Sequence, residues 1–290
     1  MRLPPAANDI AAHWLLSGVH VGAALPTHPS RQAYEVQSNE GLYVVKLEPD
    51  PGVGVIHGAA VLDHLGRRGY QHAPALIHTR NWKQAACFGG EAACLLEYLP
   101  QTIDDEYTPQ DTWWDLGQAT ARLNQDSSYV TPFGIPVEAA LTALSQRAVG
   151  QPYERELIGL LDRVSELGNA AGSTLVHGEV NEANARRRTD GTVVLVDWDQ
   201  AGRAGSAAFD YGYPLICIFI STDDLHIDAG VAQAYYAGYR EAGGTIDQQQ
   251  LFNAALFHAL RYMWFADTEA RWERIQYAVT HEEDLCSLIP

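Results

Sequence analysis

The sequence predicts an α+β chain of 290 residues in two parts, a smaller one of antiparallel strands at residues 1–99 and a larger helical one at residues 100–290. Three observations predict it. Apolar and polar residues alternate through much of the first part, the pattern of strands with one buried face. An apolar run closes at Pro100, and proline cannot donate to a sheet ladder, so it ends strand and part together. Beyond it, apolar residues return at the three- and four-residue spacing of amphipathic helices.

Taken in order, "HWLLSGVHVGAAL" (13–25) reads as a helix capped near Asn8 and then a strand. It does not read as the apolar core of a signal peptide: Asn8 and Asp9 precede it, His13 and His20 interrupt it, and Arg2 is its one basic leader residue. "RQAYEVQS" (31–38) and "LYVVKLE" (42–48) alternate on either side of the turn signal "NEG", which predicts a hairpin whose second strand carries Lys46. "GAAVLDHLGRRGY" (58–70) has helical spacing at Val61, Leu62 and Leu65, with Gly69 near its end. Two strands, "ALIHT" (75–79) and "AACLLEYL" (92–99), complete the first part.

In the second part, "TWWDLGQATARLNQD" (112–126) puts Trp113, Leu116, Thr120 and Leu123 on one stripe. "YERELIGLLDRVSEL" (153–167) repeats the pattern with Leu157, Leu160, Leu161, Val164 and Leu167, and Gly168 marks its C-terminal boundary. Asp190-Gly191 signals a hairpin with a two-residue loop. From about residue 228 the chain reads as helical again, through "AGVAQAYYAGYREAGG", "QQLFNAALFHALRYMWF" and "ARWERIQYAV". No internal repeat or low-complexity linker interrupts this order.

Charge and cysteine usage narrow the function. A net charge of −17 repels the phosphates of nucleic acid; it suits a cationic small molecule, or simply an acidic enzyme. The four cysteines form no CxxC pair, and the 11 histidines form no pair at ligand spacing, so a structural metal is not expected. Such sparse cysteines read as reduced thiols of a cytoplasmic protein. The apolar run "YPLICIFI" (213–220) is too short to span a bilayer.

Chemistry concentrates in "STLVHGEVNEAN" (173–184) and "TVVLVDWDQ" (192–200). Asn184 follows Glu179 by five positions, and Asp197 follows Asn184 by 13. Phosphoryl transfer from a nucleotide asks for a cation on the phosphates, oxygen ligands for magnesium and a carboxylate near the acceptor hydroxyl. Glu179, Asn184 and Asp197 supply hard oxygen atoms of the kind magnesium takes. Lys46, on an apolar strand, is the candidate cation. Each has a plainer reading, as a solvated edge lysine, a polar turn or a turn-forming aspartate; the order of the set is what is specific.

That order resembles the aminoglycoside phosphotransferase and choline kinase superfamily, small-molecule kinases with a bilobal protein-kinase-like fold. The superfamily's His-Gly-Asp loop with Asn five on is similar to "HGEVNEAN", and its Ile-Asp-Trp segment to "LVDWDQAGRAGSAAFDYGYP". "LYVVKLE" is similar to the nucleotide-lysine strand, "CLLEYLPQ" to the hinge, and "DLGQATARLNQ" to the helix after it, with Asn124 where a histidine is common. The resemblance implies that Lys46 contacts the phosphates of ATP or GTP. It implies that Glu97 and Leu99 at the hinge, and Ser30 in the loop "ALPTHPSRQA", also bind nucleotide. It implies that Asn184 and Asp197 hold Mg²⁺, that Glu179 and His177 are catalytic, and that Asp210 braces the loop. Asp199 is expected behind Asp197 or on the surface.

Two positions depart from the superfamily. Glu179 replaces its catalytic Asp, and a side chain misplaced by an ångström can cost about a hundredfold. The helix after the lysine strand shows Gly58 and Ala60 where a lysine-orienting glutamate is expected, and neither His57 nor Asp63 is an obvious substitute. Two functions therefore stand: transfer of the γ-phosphoryl to a hydroxyl of a small amine-bearing molecule, or a nucleotide-binding or inactive relative with a binding or regulatory role. The acceptor's walls are expected at Trp113, Trp114, Tyr262, Trp264, Asp267, Glu269 and Trp272, where aromatics beside carboxylates suit an amine. The plainer reading of "ALRYMWFADTEARW" is a core helix with a solvated acidic edge. Aminoglycoside, choline-like amine, amino acid and sugar all remain open.

Overall fold

In the computed structural model, described for residues 4–27, 31–100, 107–132, 137–169, 173–264 and 267–289, the alternating segments become one sheet. Helix α1 (Ala7–Trp14) precedes strands β1 (His20–Leu25), β2 (Gln32–Ser38) and β3 (Gly41–Pro49). Helix α2 (Val53–Arg67) follows, and then β4 (Leu76–Ile77), β5 (Ala86–Phe88) and β6 (Glu91–Glu97). The strand order is β1-β2-β3-β6-β4, with β5 also on β6, and every pairing is antiparallel. Asn8 does not cap α1: the cap is Ala6, without a side-chain bond, and Asn8 lies inside the helix.

Because side chains alternate across a strand, β3 has two unlike faces. Val45 and Leu47 point into an apolar core with Tyr34, Val36, Ala93, Leu95, Ile10 and Trp14. Lys46 therefore projects from the other face, between its ladder partners Ala33 on β2 and Cys94 on β6. A one-residue slip would bury the lysine in the core, so the apolar pattern fixes its direction.

Residues Met1–Ile103 and Arg186–Gln200 form one compact unit; Asp104–Ala185 and Ala201–Pro290 form the other. The segment carrying Asp197 thus belongs to the sheet's unit. Strands β8 (Ala185–Arg187) and β9 (Val193–Leu195) make its hairpin. Arg188 N–H donates to Thr192 O at 3.0 Å, so the loop holds three residues, 189–191, rather than two. Gly191, at φ 85°, takes the left-handed position that such a loop requires.

The second unit is helical. It comprises α3 (Pro109–Asn124), α4 (Val137–Ala148), α5 (Glu154–Ser165), α6 (Ala208–Tyr211), α7 (Tyr213–Cys217), α8 (Ala229–Glu241), α9 (Gln248–Tyr262), α10 (Thr268–Thr280) and α11 (Glu282–Ser287). Strands β7 (Thr174–Val176) and β10 (Gly202–Ala204) pair within it. A Thr108–Asp111 capping box and Pro109 start α3. In α9, residues 251–260 are all buried, including Asn253 and His258. Each of these side chains makes a hydrogen bond: Arg163 Nε donates to Asn253 Oδ1 at 2.8 Å, and His258 Nε2 donates to Phe209 O at 2.9 Å, while His258 Nδ1 is buried without one among the described residues. Burial holds the His258 pKa well below the ordinary value, so the ring is neutral. No helix among the described residues is long and apolar enough to cross a membrane.

Candidate active site

The sheet's unit gathers the predicted cation and one predicted metal ligand. Lys46 Nζ lies 2.7 Å from Asp197 Oδ1 and 3.0 Å from Asp199 Oδ2. Burial works against the charged lysine, but Asp199 and Asp197 outweigh it and raise the pKa above the ordinary value. Asp197, two residues beyond β9, sits at φ 67°, an uncommon conformation for a residue with a side chain, and its side chain stays 37% exposed.

Asp199 is buried, 5% exposed, and shared between Lys46 and Arg31, whose Nη1 is 2.7 Å away. Arg31 also reaches Glu48, Nε to Oε1 at 3.4 Å, and Glu48 Oε2 accepts the Val55 N–H at 2.9 Å in the first turn of α2. That bond satisfies one of the donors a helix start leaves over. Arg31, just before β2, and Glu48, within β3, carried no further signal; their distances to each other and to Asp199 only exist once the sheet forms.

Of the hinge residues expected to bind nucleotide, Glu97 has its carboxylate held by Arg188, Nε to Oε1 and Nη2 to Oε2 both at 2.8 Å, and accepts Ala75 N–H at 3.0 Å. The Arg188 hydrogen bonds hold its pKa below the usual value. Its backbone N–H donates to Ala75 O at 2.9 Å. Leu99 is buried at 7% exposure. Ser30 lies outside the described residues.

In the helical unit, Asp210 on α6 is fully buried and gathers the predicted loop. Its carboxylate accepts the N–H of His177 at 2.9 Å and of Gly178 at 2.6 Å, and the Asn124 amide at 2.9 Å. Burial raises its pKa above the ordinary aspartate value, and these bonds oppose that shift. Asn124, at the end of α3, also donates to Leu175 O at 2.9 Å and accepts from Tyr239 Oη at 3.1 Å, so it ties α3, β7 and α8 together. His177 is buried, and its Nδ1 accepts the Glu179 N–H at 3.3 Å. Asn181 and Asn184 both donate to Glu179 O, at 3.1 and 3.0 Å, which ties the five-residue span into one turn.

The Glu179 side chain is held from α9. Arg261 Nη2 donates to its Oε1 at 3.1 Å, and the Tyr262 hydroxyl donates to the same oxygen. Burial pushes the Tyr262 phenol above the ordinary tyrosine value, so it stays protonated and can donate. Arg261 was missed in the sequence. Its signal was its place immediately after the buried run of α9, which ends by aiming two polar residues at the loop.

The acceptor walls fare differently. Trp113 is a core residue, 1% exposed, with its ring centroid 4.8 Å from Phe219 and 5.6 Å from Tyr235. It belongs to the same buried stripe as Leu116 and Leu123, and burial there leaves no wall to offer. Trp264 carries Arg147 over its ring at 5.9 Å. Asp267 caps α10, accepting Ala270 N–H at 3.2 Å, and both it and Glu269 are exposed.

Magnesium fits the donor chemistry. In the sheet's unit, Asp197 offers a partly exposed carboxylate, a hard oxygen ligand of the kind magnesium takes. Among the described residues no group of three or more His, Cys, Asp and Glu side chains forms a metal cage.

A family model for a phosphotransferase enzyme family matches residues 26–244. Comparison with curated proteins finds no match. Among solved structures, a spectinomycin phosphotransferase in complex with ADP and spectinomycin is 14% identical, with TM-score 0.62 and 98% of each chain covered. A microcompartment-associated aminopropanol kinase is 18% identical, with TM-score 0.61, over 97% of this chain and 94% of the other. An aminoglycoside phosphotransferase from Alicyclobacillus acidocaldarius is 12% identical, with TM-score 0.59, over 100% and 96%. At these identities the likeness shows the fold, and it is the kinase-like α+β fold that the sequence predicts.

Proposed function

Since the chain belongs to the phosphotransferase enzyme family, we propose that it moves the γ-phosphoryl group of ATP or GTP to a hydroxyl of a small, amine-bearing molecule. The observation that carries this reading is the Lys46–Asp197 ion pair at 2.7 Å, which joins a cation for phosphate to a carboxylate for metal. The spectinomycin enzyme was captured with ADP and another neighbour is an aminopropanol kinase, which supports a nucleotide donor and an amine-bearing alcohol. The four free thiols suit a reducing compartment, and we assign the work to the cytoplasm.

In this reading Lys46 binds the α- and β-phosphates, and Asn184 and Asp197 would hold magnesium, which supplies charge neutralisation on the phosphate oxygens when bound. The acceptor oxygen bonds to the γ-phosphorus as the bond to the bridging oxygen of the nucleoside diphosphate breaks. Glu179 orients the hydroxyl and receives its proton. Arg261 and Tyr262 fix the carboxylate, which compensates for the freedom of its extra methylene. His177 and Asp210 hold the loop that carries it.

The same contacts favour a second reading, a nucleotide-binding relative without transfer, because Arg261 and Tyr262 already occupy one oxygen of Glu179. Nucleoside diphosphate release, measured with Mg-ATP and Mg-GTP across hydroxylated amines, amino acids and sugars, separates the two. Acceptor-dependent release lost in Glu179→Ala supports transfer. Nucleotide binding by calorimetry with no release across the panel supports the second reading.

A further inference from the structure

We infer that Asp199, seated against the bare face of α2 at Gly58, is the positioning carboxylate for Lys46. This rests on the reading of Lys46 as the phosphate lysine. The two aspartates that touch Lys46 are unlike. Asp197 is 37% exposed, so its carboxylate can be shared with a ligand. Asp199 is 5% exposed and anchored from behind by Arg31, which Glu48 and the first turn of α2 anchor in turn. When a bound ligand draws on Asp197, Asp199 remains on the lysine and holds the ammonium in place.

Helix α2 supplies no such group itself. Its one carboxylate, Asp63, is committed to His78 at 2.8 Å, Gln84 at 2.6 Å and Arg67 at 2.5 Å. What α2 supplies is room. A Cβ added at Gly58 would lie 2.7 Å from Asp199 Oδ1 and 3.4 Å from the carbonyl carbon of Trp198, closer to the carboxylate than a carbon can sit. One turn earlier, a Cβ at Gly54 would collide with the Arg31 guanidinium. Residues four apart share a helix face, so these two glycines form one slot that admits Asp199 and its anchor. The departure at Gly58 and the burial of Asp199 are therefore one arrangement: the carboxylate comes from the turn after Asp197, and the helix gives up a side chain to receive it.

Calorimetric binding of Mg-ATP to the full chain tests this. Lys46→Ala is the reference for loss of the phosphate cation. Asp199→Asn removes one charged partner of the lysine and is expected to weaken binding about tenfold. Gly58→Ala, which keeps the carboxylate but displaces it, is expected to weaken binding to a similar degree, and it carries the same prediction if Asp199→Asn does not fold. In an Asp199→Ala background, where nothing is left to displace, Gly58→Ala is expected to add no further loss. Binding weakened by Lys46→Ala but unchanged in both Asp199→Asn and Gly58→Ala overturns the positioning role, as does a purely additive double variant. Binding unchanged in Lys46→Ala overturns the reading of the lysine, and the role of Asp199 with it.

Discussion

Asp197 and Asp210 lie 13 residues apart in the sequence and carry the same side chain, yet their surroundings differ in every respect that decides a carboxylate's use. Asp210 has no exposed surface and spends its oxygens on His177, Gly178 and Asn124. Asp197 sits at φ 67° with its side chain 37% exposed, against a lysine. A buried carboxylate filled with N–H donors is a strut: it has little capacity left and a large cost if removed. A half-exposed one in a strained backbone position is kept for something that arrives.

The largest expected effect breaks the strut. Asp210→Ala strands buried donors of the loop and should cost about 3–5 kcal/mol, seen as a fall in Tm on the order of 10 °C or as loss of soluble protein. An unchanged Tm would remove the distinction between the two aspartates. Asp197→Asn should do the reverse. Its ligand-free Tm should stay near wild type, while the rise of about 2.7 kcal/mol from Mg-ATP at about a hundred times its Kd should mostly vanish in a thermal-shift titration. Glu179→Ala should lower kcat and kcat/KM together by about a hundredfold, with Mg-ATP affinity little changed, because that contact is made to the acceptor.

The smallest effect is one of pH and concerns Glu97, which the contact with Arg188 places among the struts. Its folded pKa lies below the ordinary value, so its stabilisation is present above that value and is lost as pH falls through the lowered one. Melting curves from about pH 7 to about pH 3 should show Glu97→Gln slightly less stable at the upper end and converging on wild type at the lower. A constant gap across that range would mean that packing, not charge, is what Glu97 contributes.

Strand alternation made the sheet legible, and with it the direction of Lys46, because period two leaves a single choice of face. The loop was legible through its fixed short spacing, as Glu179 and Asn184 meet within one turn. Contacts across long separations were not. Nothing local pairs Glu179 with Arg261, 82 positions on, or Asp199 with Arg31. Trp113 shows the opposite failure: its stripe with Leu116 was read correctly as one face, but that face is core, and aromatic character alone does not tell a wall from an interior. Helix α4 and strand β5 went unread, the first a weakly apolar helix with two buried residues, the second only three residues long.

The all-round burial of α9 has a consequence for how the gene can drift. Each residue of an α-helix advances the next by about 100°, so a single-codon insertion or deletion within Leu251–Leu260 would swing Arg261 and Tyr262 away from Glu179. It would also turn Asn253 and His258 away from their partners and leave them unpaired in the interior. With no solvent-facing side to absorb the change, the segment is closed to length variation. Descendants of this chain can change its letters one at a time, but they inherit its count.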